Sequence, residues 1–300
     1  EIISLYGIKK HPSKKHLEDN DVLIFDIQDI GSRYYTYISS MYIMMQMAAN
    51  QNIEFIVLDR PNPLGREISG PIMQDDFKSF VGILPIPIRH GMTIGEIAKM
   101  IDGEGWIDAK YTINLKVITL AGWNTNSGYF QLSPSPNIPD FITALCYSGM
   151  CLLEGTNISE GRGTDNPFIY FGAPWIESSL LTKNLNSLSL NGVRFESISF
   201  VPKSTNKSKW PKYQDIMCHG SRIIITNRSN YEPIKVTLEI IKLISENYPE
   251  NFKFLETNFI DKLYGSKRLR KWLKSEQKDF NIYEDWDNDF ESLREKYLLY

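Results

Sequence analysis

Residues 21–27 (DVLIFDI) constrain the fold of this chain more than any other stretch. A near-continuous apolar run of strand length is what a parallel sheet covered on both faces requires, and residues 55–58 (FIVL) repeat it. Between the two runs Met41, Met44, Met45 and Ala48 recur at helical spacing, which predicts a helix over residues 34–50 stopped by the Asn50-Gln51-Asn52 end. Strand, helix and strand in this order make a βαβ unit, and the ligand crevice of such units opens at the carboxyl ends of the strands. Those ends carry Asp26, Asp29 and the pair Asp59-Arg60.

Further along, Thr93 followed by Glu96 has the spacing of a capping box, which predicts a helix start and accounts for Glu96 without chemistry. Residues 115–120 are predicted to be a strand. The proline-rich stretch 133–139 (SPSPNIP) suits neither element and divides the chain, with Pro139 placed for the first turn of the next helix. Beyond it residues 193–201 and 223–226 have the pattern of strands, residues 234–248 that of an amphipathic helix, and the chain from Phe252 onward is helical and charged. The expected fold class is α/β, with a parallel-sheet domain over residues 1–136 and a smaller α+β domain over residues 137–300.

Charge and composition narrow the partner. With 33 Lys and Arg against 36 Asp and Glu, the net charge of −3 argues against a nucleic-acid footprint or a polybasic membrane surface. No apolar run approaches the roughly 18 residues of a membrane span, so a small-molecule or oligosaccharide ligand is expected. Cys146, Cys151 and Cys218 lack metal-type spacing and read as small buried residues, and no metal site is expected of His11, His16 or His219. The chain opens on Glu1 rather than Met, its first residues read as the edge of a strand, and a preceding stretch is expected to have been removed.

Polar residues gather in four loops, residues 26–37, 59–65, 85–93 and 154–164, where function concentrates on a scaffold. No G-x-G-x-x-G or P-loop pattern accompanies them, so no nucleotide cofactor is expected, and none of another kind. Asp26, Asp29 and Asp59 either fix the turns after their strands or face a ligand. Asn62, Asn137 and Asn157 present an amide or make a plain turn. Glu160 lies in a loop that no capping rule requires, Glu154 follows an apolar run and either bonds loop amides or meets a ligand, and His90 is an acid/base candidate or a satisfied loop imidazole.

Taken together, FDIQDIGSRYYTYIS (25–39), LDRPNPLG (58–65), PIPIRHGMTIGE (85–96), SPSPNIP, EGTNISEGRGTDNPF (154–168), GAPW (172–175) and the terminal YLLY resemble the NamZ family of exo-β-N-acetylmuramidases over most of the chain. The resemblance implies a Rossmann-like first domain, here incomplete at its N-terminus. Members carry Thr-Asn-His-Thr and Pro-Glu-His-Gly motifs ahead of the SLYG found at residues 4–7, and this sequence has neither. It also implies an extracytoplasmic glycosidase that releases terminal N-acetylmuramic acid, with Glu160 and His90 as the leading catalytic candidates present. The sugar's lactyl carboxylate suits a planar guanidinium, which Arg33, Arg60, Arg89 or Arg162 would supply. The alternative from the missing motifs is a sugar-binding protein without turnover.

Overall fold

The computed structural model describes residues 2, 11–123, 133–275, 280–286 and 289–300. The opening strand edge and SLYG therefore lie outside the described residues. Two compact units form: Glu1–Pro134 with Asp285–Tyr300, and Ser135–Glu284.

In the first unit β1 (Val22–Phe25), β2 (Glu54–Leu58) and β3 (Asn114–Ile118) make a parallel sheet in that order, with Leu23 paired to Phe55 and Phe55 to Leu115. Helix α1 (Tyr37–Gln51) ends where Asn52 adopts the left-handed conformation at φ 55°, the role expected of the Asn-rich stop. It begins later than its periodicity suggests, because the backbone just before it is held elsewhere: Arg33 N–H donates to Ile88 O at 2.8 Å, and Ser32 bridges to Arg89. Helix α2 (Ile94–Gly103) starts at Thr93, whose side chain accepts from Glu96 N–H while Glu96 accepts from Thr93 N–H, the full capping box. Phe25, Phe55, Val57, Met41, Met45, Ala48, Ile97 and Ile101 form one buried cluster. The run at 21–27 is not buried on both faces, however: β1 pairs with β2 alone among the described strands, and Ile24 is 63% exposed.

The second unit follows with α3 (Phe141–Met150), β4 (Tyr170–Ala173), α4 (Ser178–Ser187), β5 (Val193–Phe200), β6 (Cys218–Ile225), α5 (Pro233–Asn247), α6 (Phe259–Tyr264) and α7 (Arg268–Lys274). Its sheet is antiparallel in the order β4-β6-β5. Asp140 caps α3 by accepting from Thr143 N–H at 2.7 Å, so Pro139 precedes the cap instead of occupying the first turn. Strand β6 starts ahead of the expected 223–226, since Gly220 interrupts the apolar pattern there. That glycine is needed: a Cβ on it would lie 2.0 Å from Phe171 O across the β4 pair.

The last helix, α8 (Phe290–Glu295), belongs to the first unit, whereas the sequence reading gave everything after residue 137 to the second domain. Phe290 enters the first unit's core, and Arg294 donates to Arg66 O at 2.6 Å. Tyr297 OH donates to Glu104 at 2.5 Å and Leu299 N–H to Glu96 at 2.9 Å. These contacts are long-range, and nothing local in the sequence announces them.

Candidate functional site

At the strand ends of the first unit, Asp26 follows β1 and Asp59 follows β2, yet the two behave differently. Asp26 is exposed and meets the Arg60 guanidinium through Nε at 2.7 Å and a second nitrogen at 2.5 Å. Asp59 is buried and saturated, accepting from Thr93 Oγ1 and Gly95 N–H at 2.7 Å, Arg60 N–H at 2.9 Å and Tyr300 OH at 3.0 Å. Burial raises its pKa against the pull of those donors.

In the same unit His90 is fully buried. Its Nδ1 accepts from Met92 N–H at 3.3 Å, which leaves the ring proton on Nε2, facing Asp29 Oδ2 at 3.6 Å. The same Asp29 oxygen accepts from Gly31 N–H at 2.7 Å, while the buried Oδ1 has no hydrogen-bond partner among the described residues. Arg33 is enclosed and donates to Pro71 O and Ile86 O at 2.8 and 2.7 Å. Arg89 donates to Leu64 O at 3.1 Å and pairs with Glu67 at 2.7 Å. Asn62 bonds Met92 O at 3.0 Å and Leu64 N–H at 2.9 Å.

The second unit holds a compact ionic cluster on the loop after α3. Arg162 lies 2.7 Å from Glu154 and, through Nε, 3.9 Å from Glu160, with its guanidinium 5.3 Å from the centre of the Phe168 ring. Lys212 Nζ donates to Glu160 at 3.0 Å and to the carbonyls of Leu153 and Ile158 at 2.7 and 2.9 Å. Burial pushes the half-buried Glu154 up, with Arg162 pulling the other way and Glu160 adding to the rise. For Arg162 burial acts against the charge, but Glu154 and Glu160 outweigh it and its pKa is raised. The loop closes tightly because Gly161 sits at φ +76°, where a Cβ would lie 2.6 Å from Tyr170 O. Asn157 braces the far end, bonding Asn251 O at 2.8 Å and Lys253 N–H at 2.9 Å. Asn137 donates to Lys207 O at 2.8 Å.

The two halves of the sequence match the two parts of one family description: "Exo-beta-N-acetylmuramidase NamZ, N-terminal" over residues 1–142 and its C-terminal counterpart over residues 145–300. The chain belongs to the NamZ family. It is 42% identical over 308 residues to the peptidoglycan β-N-acetylmuramidase NamZ of Bacillus subtilis (strain 168), covering 100% of this chain and 72% of that protein. Its fold is similar to the crystal structures of two DUF1343 family proteins from Bacteroides fragilis NCTC 9343. One gives a TM-score of 0.87 at 32% identity over 99% of this chain and 79% of that one, the other 0.77 at 33% over 96% and 78%.

Within the chain the structure separates the four candidate guanidinium groups of the matched loops. Arg33 and Arg89 are buried and tied to carbonyls or to Glu67, whereas the side chains of Arg60 and Arg162 keep 41% and 34% exposure. Asp26, Asp29, Asp59, Arg60 and His90 share the strand-end region of the first unit. Glu154, Glu160 and Arg162 form the cluster of the second. Asn62, Asn157 and Asp59 bond the backbone around them. Sequence reasoning missed Lys212, in an irregular stretch with no spacing relation to Glu160, and Arg66, which grips Glu96 through two guanidinium nitrogens. Among the described residues there is no group of three or more His, Cys, Asp or Glu that could hold a metal, and no helix long and apolar enough to cross a membrane.

Proposed function

We propose that this chain is a glycoside hydrolase of peptidoglycan turnover, an exo-β-N-acetylmuramidase acting on fragments of the muropeptide or MurNAc-GlcNAc type outside the cytoplasm. The observation that carries the reading is 42% identity, along the whole chain, to a relative named as a peptidoglycan β-N-acetylmuramidase. The ionic cluster of the second unit supplies chemistry of the right kind. Glycoside cleavage takes one carboxyl to protonate the leaving oxygen and a second group to activate water or meet the developing positive charge. Glu154, which burial pushes up, suits the proton donor, and Glu160, ion-paired to Lys212, suits the second role. His90 is fully buried, with Nδ1 taken by Met92 N–H, and has no part in the proposed cleavage.

Substrate selection falls to Arg162, whose guanidinium stands in the same cluster as the two carboxyls and keeps 34% exposure. Hydrolysis of a chromogenic β-N-acetylmuramide against the matching N-acetylglucosaminide tests this: the wild type prefers the muramide, and Arg162→Ala lowers that preference about tenfold or more. Equal rates on both sugars by the wild type would sink the muramidase specificity and leave a less selective hexosaminidase; no turnover of either would leave sugar binding without cleavage. Glu154→Gln is expected to lose far more rate on a natural disaccharide than on a nitrophenyl glycoside, whose leaving group needs little protonation.

A further inference from the structure

We propose that Lys212 is a positioning residue for this reaction, its ammonium group fixing the Glu160 carboxylate in its working orientation; this rests on the reading that Glu160 takes part in cleavage. The ammonium has three N–H donors and meets three acceptors: Leu153 O at 2.7 Å, Ile158 O at 2.9 Å and Glu160 Oε2 at 3.0 Å. Those acceptors lie on either side of Glu154, so a single cation spans the loop that carries both carboxyls. Lys212 reaches it from the irregular stretch between β5 and β6, which is itself docked on the same loop. Lys203 N–H donates to Gly163 O at 2.8 Å, and Tyr213 OH donates to Asn157 O at 2.7 Å.

A lysine that served only to tie the loop would need the two carbonyls and nothing more. The third bond selects one oxygen of Glu160, and Arg162 Nε stands 3.9 Å from the other. The Lys212 bond fixes the rotation of a carboxylate that ends a flexible side chain, and the Arg162 charge favours the same orientation. Displacing a reacting group by about 1 Å costs on the order of 100-fold in rate, so the fixing matters to turnover rather than to affinity.

Wild type, Lys212→Gln, Lys212→Arg and Glu160→Gln, each in the whole chain, are compared by kcat, KM and thermal melting on a chromogenic β-N-acetylmuramide. Glutamine keeps N–H donors for the carbonyls and removes the charge; arginine keeps the charge and moves the donors. Lys212→Gln is expected to melt within a few degrees of wild type, with kcat about 100-fold lower and KM within about threefold, and Lys212→Arg to recover to about tenfold below wild type. If Lys212→Gln does not fold, Lys212→Arg decides, since wild-type kcat in that variant overturns the proposal. An inactive Glu160→Gln beside a Lys212→Gln of unchanged kcat, or one with only a raised KM, overturns the role of Lys212 and leaves that of Glu160. An active Glu160→Gln, or a wild type without turnover, overturns both.

Discussion

Asp59 and Asp26 end neighbouring strands of one sheet, and from the sequence they are interchangeable. What separates them is the number of donors each meets. Four hydrogen bonds converge on Asp59, so Asp59→Ala strands several buried donors and is expected to cost on the order of 3 kcal/mol in urea unfolding. Its pH signature also runs opposite to that of a salt-bridged carboxylate. Because burial places the folded pKa above the ordinary value, folding favours the protonated form, and this contribution is present at low pH and lost as pH rises through the raised value. Relative to Asp59→Asn, the wild type is therefore expected to gain stability as pH falls from neutral toward 4. A flat difference across that range would contradict the assignment. Arg33 and Arg89 carry the same lesson for cations: residue type and loop position name them as candidates, and their buried surroundings of carbonyls and, for Arg89, Glu67 are visible only in the fold.

At the level of elements, what the sequence states locally proved legible. The capping box at Thr93 and the stop at Asn52 stand where their chemistry places them, since both depend on residues within one turn. Thr93→Ala is expected to destabilise the fold by about 1 kcal/mol or more, because the hydroxyl both caps α2 and donates to Asp59. Strand β4 and helix α4 were not foreseen: Tyr170–Ala173 is short and contains a glycine, and α4 is polar overall, with only Leu181, Thr182 and Leu185 buried. The loop around Glu160 was legible as unusual but not in its wiring, because its partner Lys212 is remote in sequence. Gly161→Ala tests how tightly that loop is drawn. With φ at +76° and Tyr170 O in the way, a loss of about 2 kcal/mol is expected in the same unfolding assay, with lowered kcat if the cluster shifts.

Over the whole molecule, the βαβ start and the parallel sheet could be read from pattern. The return of the last helix could not, because hydrophobic periodicity says that Phe290 is buried somewhere but not against what. A chain ending at residue 289 is expected to lose hydrogen-exchange protection in α2 and β2 while α3 and α5 keep theirs; uniform loss would mean that the units do not unfold separately. The same return governs the order in which the protein matures on the ribosome. The amino-terminal half emerges first, yet Glu96 and Asp59 wait for Leu299 and Tyr300, so that half stays half-made, its apolar interior short of Phe290, until the segment from Phe290 to Tyr300 has left the ribosome. During that interval the nascent polypeptide is the species most in need of chaperone cover.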